Sequence, residues 1–233
     1  MKIQEMLVEG QTKKLYRTDL EEQLVMEFLD NLPITGTRKL TLKGKKTINL
    51  DISTHIFEYL ASYNVPTHYL KKIDEKSMLV RKLEMIPIQL TIWNLASDSL
   101  AKRLGLKDGL LLNTPVIEMY LKNTKLKNPL INDYHAYALE LCDRNDMNAI
   151  QRIATKANAV LKSFFQRKQL ILANFNLEFG KTGNQVILGD EISPDSFVVW
   201  AQLDDGKFDK KIYQITSESA KKVYPQLHDI LLK

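Results

Sequence analysis

The sequence predicts an α+β chain of two lobes, and three observations carry that prediction. The first third alternates apolar and polar residues as half-buried strands do. Residues 146–168 repeat apolar residues with the period of a helix, and residues 170–190 read as a hairpin. A chain of 233 residues has room for one large domain or two small ones packed together, and it can bury a sizeable core without staples.

In order, Val8-Glu9-Gly10-Gln11-Thr12-Lys13-Lys14-Leu15-Tyr16 reads as two short strands about a turn at Gly10. Leu24, Met26 and Phe28 then alternate with Val25 and Glu27. A helix is predicted over 48–63 from Ile52, Ile56, Phe57, Leu60 and Ala61, ended by Asn64 and Pro66. Strands follow at 67–73 and 78–83. Glu84-Met85-Ile86-Pro87 breaks the pattern and is read as the crossing between lobes, giving 1–84 and 85–233. Residues 88–94 form a strand, Ser97 or Asp98 caps a short helix to Leu104, and Gly105 closes it. The helix over 146–168 carries Met147, Ile150, Ile153, Ala154, Ala157, Val160, Leu161, Phe164 and Phe165 on one face. Strands at 170–179 and 185–190 flank a turn at 180–184. A last helix spans 217–232, interrupted or restarted at Pro225.

Composition narrows the function classes. There are 33 Lys plus Arg against 28 Asp plus Glu, a formal net charge of +5, with 44% hydrophobic residues. The single cysteine, Cys142, excludes an internal disulfide and a Cys-rich zinc site. The start lacks the apolar run of a secretory signal, and no stretch reaches the roughly 18 apolar residues of a membrane span. A soluble, cytoplasmic protein is expected. The densest basic cluster, Arg38, Lys39, Lys43, Lys45 and Lys46, has no interleaved aromatics and reads as an edge strand and turn. Neither nucleic acid nor membrane is an expected partner; a small anionic ligand explains the charge excess more simply.

The hairpin is where chemistry concentrates. Asn174, Asn176 and Glu178 share one face of its first strand, opposite Phe175, Leu177 and Phe179. With an even pairing sum across the turn, Asp190 joins Asn176 and Glu178. Two carboxylates so placed suit a hard cation completed by substrate phosphates; ordinary surface acids on a solvated hairpin are the competing reading. A second candidate is the helix start at Ser97, Asp98 and Ser99, with Lys102 and Arg103 nearby, as a phosphate site or as a plain N-cap. Gly10-Gln11-Thr12-Lys13 is a short glycine turn and not a Walker loop. His55, His68, His135 and His228 have no metal-ligand spacing and read as structural or surface residues.

Together these segments resemble the phosphoribosylaminoimidazole-succinocarboxamide synthase (SAICAR synthetase) family. The segment from Glu9 to Tyr16 resembles its opening Gly-Lys-x-Lys turn, Val65-Pro66-Thr67-His68 its "IPTH" link, and Leu83 to Pro87 its hinge. Ala96 to Gly105 resembles "AAGSLxKRLG" and Asn128 to Asn132 "DPLIN". Leu177-Glu178-Phe179-Gly180 and Gly189 to Asp195 match "LEFG" and "xDEISPD". The resemblance implies a two-lobed ATP-binding fold related in shape to ATP-grasp enzymes and kinases, with a β-rich nucleotide-binding lobe (1–84) and an α+β lobe (85–233) holding the Mg/ATP hairpin and the acceptor pocket. It implies an ATP-dependent ligase: ATP phosphorylates a carboxylate and an amino acid amine, aspartate in the family, displaces the phosphate. It implies ATP and Mg²⁺ as cofactors, Glu178 and Asp190 as metal ligands, and Lys13 at the phosphates. It implies Gly10 among the nucleotide-binding residues, the backbone from Lys82 to Met85 at the adenine, and Glu84 near the ribose. Partners are a small carboxylate and an amino acid, and a homo-oligomer is possible.

Departures fall on the acceptor side. Val-Arg-Asn of the family is Ile92-Trp93-Asn94, the arginine after "SPD" is lost among Ser196-Phe197-Val198, and "DKDRFR" reads Asp209 to Gln214 without arginine. "VDFKLEFG" has Asn174 and Asn176 in place of Asp and Lys. Gln11 replaces a lysine, Asn128 an aspartate, and the glycine-rich loop near 33–37 is altered. Tryptophan, valine, isoleucine and glutamine cannot replace the bidentate guanidinium fork. The expected acceptor pocket, with Trp93, Asn94, Ser99, Lys102, Arg103, Asn174 and Asn176, therefore suits an altered, unphosphorylated or aromatic, purine-like substrate. Trp93 either stacks on it or fills core. Three readings stand: an altered-acceptor ligase, the family's standard reaction, and a non-catalytic ATP-binding protein.

Overall fold

The computed structural model describes residues 2–33 and 40–233, so Arg38, Lys39 and most of the 33–37 loop lie outside the described residues. Strands β1 (Ile3–Glu9), β2 (Lys13–Thr18) and β3 (Gln23–Phe28) precede helix α1 (Lys45–Ser62), then β4 (Tyr69–Lys72) and β5 (Ser77–Arg81). These strands form one antiparallel sheet in the order β1-β2-β3-β5-β4. The rest is β6 (Glu84–Ala96), α2 (Asp98–Leu104), β7 (Leu110–Leu121), β8 (Leu130–Ile131), α3 (Asp133–Ala138), α4 (Arg144–Gln166), β9 (Leu170–Thr182), β10 (Gln185–Gly189), β11 (Phe197–Gln202), β12 (Phe208–Asp209) and α5 (Ala220–Leu232). The second sheet runs β12-β11-β9-β6-β7-β8, with β10 paired to β9. Two antiparallel sheets with helices segregated about them make the α+β fold the sequence predicts.

Every residue of the predicted apolar face of α4 is buried, and the helix lies on β9 and β10. It starts two residues earlier than predicted because Asp143 and Asp146 form a capping box, the Asp146 N–H donating to the Asp143 carboxylate at 2.8 Å. One continuous apolar cluster joins β3, β5, α1, β6, α4, β9 and α5. Among the described residues no helix is long and apolar enough to cross a membrane.

Three expectations are corrected. The strand expected at 88–94 is longer: β6 starts at Glu84, with a register shift between Met85 and Gln89 that leaves Pro87, which has no N–H, out of the ladder with β9. Helix α1 begins at Lys45, after Gly44 in the left-handed region (φ 89°), so Lys45 and Lys46 are helical and not on an edge strand; Ala61 on the same helix is exposed. Finally, α5 continues through Pro225 without interruption.

Lys45 is completely buried. Its ammonium bonds the Asp195 carboxylate and lies 5.7 Å from the Tyr224 ring centre, while the Tyr224 hydroxyl donates to the other Asp195 oxygen. Further along α1, the Ser53 hydroxyl donates to the Ile192 carbonyl at 3.2 Å. Helices α1 and α5 thus hold the 190–196 segment from behind. Lys45→Ala leaves Asp195 buried without its cation and should cost about 3–5 kcal/mol in urea unfolding. Lys45→Met combined with Asp195→Asn, which removes both charges, should lose much less.

Candidate active site

Glu178 and Asp190 stand where two cavities meet. The first, about 470 Å³, is lined by Leu15, Leu24, Met26, Val80, Leu83 and Met85, with Gly10, Lys13, His68 and Lys122 among its other residues. The second, about 280 Å³, is polar and includes Gln11, Thr12, Gln89, Asn176, Glu191, Asp195 and Ser196. Both carboxylates line both cavities.

Local structure explains their position. On β9, Phe175, Leu177 and Phe179 are buried and leave Asn176 and Glu178 on the other face. The turn is shorter than predicted, only Gly183 and Asn184, with φ positive (55°) at Gly183 as the first position of a two-residue hairpin loop favours. Gly189 therefore pairs with Glu178, and the pairing sum is odd, not even. Continued in register, Asp190 would oppose Leu177 on the core face. Instead the strand ends at Gly189 and Asp190 enters the left-handed region (φ 60°), where its carboxylate joins Glu178 at the cavity junction. Gly180 has its own role: a Cβ there would come within 2.8 Å of the Leu83 Cβ and 2.9 Å of the Glu84 carbonyl, so β9 can lie against the 83–85 stretch only with glycine.

Lys13, at the start of β2, reaches from the first sheet to the second. Its ammonium donates to both Asp190 oxygens, at 2.7 and 2.8 Å, and to Glu191 Oε1 at 2.7 Å. Ser193 donates to the other Glu191 oxygen, and Lys122, just after β7, bonds Glu178. Burial opposes the Lys13 charge, yet the two carboxylates outweigh it and hold the ammonium above the ordinary lysine range. Burial also opposes ionisation of Asp190, but Lys13 outweighs that and keeps it below the usual carboxylate range. Burial, reinforced by the Asp190 charge, pushes Glu178 up against Lys122; burial also pushes Glu191 up against Lys13. Among the described residues no group of three His, Cys, Asp or Glu side chains is gathered as a metal cage. Two carboxylates shared by two cavities suit a hard cation that takes the rest of its ligands from phosphates and water.

The other expected residues are scattered. Gly10, Lys13 and Met85 line the first cavity, and Asn176 lines the second while accepting from the Thr91 hydroxyl at 2.8 Å. Lys82 donates its N–H to the Glu22 carbonyl and lies at a depression beside β1; Glu84 borders another depression with Tyr137 and Lys181. Trp93 lines neither cavity. It is buried, and its indole N–H donates to Glu118 at 2.9 Å, which also takes Arg103 at 2.6 Å and the Tyr120 hydroxyl at 2.8 Å. Core filling is thus the reading of Trp93 that its surroundings support. Asn94 forms a buried reciprocal amide pair with Asn158 at 2.9 and 3.0 Å, and Asn174 faces Ser97 at 3.5 Å. Ser99 and Lys102 are exposed on α2, where the Asp98 N–H already meets the Asp108 carboxylate at 3.3 Å. Lys122 and Gln89 join the site unannounced by any spacing, whereas Asp195 closes the acidic segment that the sequence already marks; the β6–β7 pairing brings Lys122 to Glu178.

Comparison with known proteins gives the family of the chain. The family model described as SAICAR synthetase matches residues 6–229. The phosphoribosylaminoimidazole-succinocarboxamide synthase of Thermoanaerobacter sp. (strain X514) is 40% identical over 211 residues, 90% of each chain. That of a Nitratiruptor species is 40% identical over 230 residues, 97% of this chain and 96% of the other. The structure of a SAICAR synthetase (Type-2) in complex with ADP superposes with a TM-score of 0.88 at 34% identity, covering 97% of both chains.

His68 yields a pH test. Burial lowers its pKa from 6.5 to about 4, with Asp190 pulling up and Lys13 pushing down. The unfolded chain binds that proton near pH 6.5 and the folded chain only near pH 4, so the neutral ring's contribution is present above 6.5 and lost as pH falls. Between about pH 7 and pH 4 the chain should lose about 3 kcal/mol more stability than His68→Leu, measured by urea unfolding at both pH values.

Proposed function

Because the chain belongs to the SAICAR synthetase family of ATP-dependent ligases, we propose that it uses ATP to phosphorylate a substrate carboxylate and joins the resulting acyl phosphate to an amino acid amine, releasing phosphate. The observation that carries this reading is the pair Glu178 and Asp190 between an apolar and a polar cavity. The apolar cavity suits a flat base, and the relative solved in complex with ADP supports a nucleotide as ligand. Residues 1–84 then serve as the nucleotide lobe and 85–233 as the lobe carrying the hairpin and acceptor.

In this reading Lys13 and Lys122 offset charge on the phosphoryl group as it moves towards the second cavity. Glu178 and Asp190 would hold Mg²⁺, which when bound supplies further charge neutralisation on that group. Asn176, Gln89 and Ser196 orient the acceptor by hydrogen bonds, and the buried Asp195 presents a fixed acceptor oxygen.

The acceptor is read as one without the family's ribotide phosphate. The described lining of the polar cavity contributes no arginine or lysine, and Trp93 stands where the resemblance places an arginine. The family's standard reaction is the second reading, favoured by 40% identity to enzymes named for it. Growth of a purine auxotroph lacking that enzyme, when given this chain, separates the two: no growth is expected, and growth overturns the altered acceptor. Saturating Mg·ATP at about 100 times its Kd should add about 2.7 kcal/mol of stability, a rise in Tm of about 5–10 °C. Glu178→Ala should abolish most of that rise; an unchanged rise makes the carboxylate a structural one.

A further inference from the structure

His68 is the residue of the first cavity whose side-chain polar atoms are buried without a protein partner: among the described residues, neither Nδ1 nor Nε2 finds one. Its backbone is fixed on both sides. The N–H donates to the Leu188 carbonyl at 2.9 Å, and the carbonyl accepts from the Arg81 N–H at 2.7 Å. The ring stands edge-on to Phe57 with centres 5.3 Å apart. Packing and backbone therefore set the ring, and no side-chain hydrogen bond does. His68 lines the first cavity together with Lys13 and Asp190.

A buried ring N–H without a partner is costly, and such a group in a native fold calls for an occupant that satisfies it. Burial keeps the imidazole uncharged at neutral pH, so one nitrogen donates and the other accepts. Lys13 already has three hydrogen bonds to carboxylates, whereas the His68 donor is uncommitted.

We propose that the His68 ring donates a hydrogen bond to a phosphate oxygen of the bound nucleotide, beside Lys13, and so discriminates nucleotides from nucleosides. This rests on the ATP reading above. A histidine that merely fills core makes the opposite prediction, because its replacement by leucine of similar bulk leaves ligand affinity unchanged.

The test is calorimetric titration of the full chain with Mg·ADP and, separately, with adenosine. His68→Leu should weaken Mg·ADP about 10- to 100-fold, the effect of losing a hydrogen bond to a charged group, and leave adenosine within about 2-fold. His68→Gln, which keeps an amide N–H, should recover part of the loss. In the unmodified chain, the ¹⁵N resonances of the His68 ring should move on addition of Mg·ADP and stay still with adenosine, a readout that needs no variant to fold. Unchanged Mg·ADP affinity in His68→Leu, an equal loss for adenosine, or ring resonances indifferent to Mg·ADP overturns the proposal. Failure of the unmodified chain to bind Mg·ADP overturns the ATP reading itself and is seen before any variant is compared.

Discussion

The Lys13 ammonium is the contact on which the rest of the site depends. It starts on the first sheet and ends on two consecutive carboxylates, Asp190 and Glu191, that follow the second sheet's hairpin. Little water reaches it, so the pairing is screened less than a surface ion pair, and its three hydrogen bonds fix direction as well as charge. Without that cation, Asp190 and Glu191 would lose their bonded lysine, while Lys122 stays with Glu178.

Support for Lys13 extends backwards through the 190–196 segment. Glu191 is steadied by Ser193, Ile192 by Ser53, and Asp195 by Lys45 and Tyr224. Helices remote from the cleft therefore determine where its carboxylates point. Gly180 performs the matching task on the other side, letting β9 press against residues 83–85 so that the apolar cavity has a tight floor. Side chains held by packed neighbours keep their geometry when a ligand arrives.

How much of this is legible in the sequence depends on how local the cause is. The α4 face reads residue by residue, because a long amphipathic repeat needs no tertiary information. Glu178 and Asp190 stand out as partners, but through an even register; the actual partnership comes from an odd register and a left-handed residue, neither of which alternation encodes. Trp93 and Asn94 escape a sequence reading for a different reason. They lie on β6 between β7 and β9 with both faces covered, so neither parity points to a cavity. Lys45 reads as a surface charge, the usual fate of lysine, because only its distant partner in the SPD segment makes burial tolerable. Lys122 follows a strand that periodicity does not announce, and only sheet order carries it to Glu178.

The Lys13 knot also sets the terms on which an anion is admitted. At formal charge, Glu178, Asp190 and Glu191 outnumber the two lysines bonded to them, Lys13 and Lys122, by one, so this cluster of ion pairs holds no spare cation for a ligand. A bare polyphosphate would have to draw Lys13 away from two carboxylates and strand them. One that arrives with its own counter-cation exchanges one pairing for another and leaves the charge balance intact. Such a cluster would favour a polyanion that brings its own cation over a naked one, before any contact with a base or sugar is made.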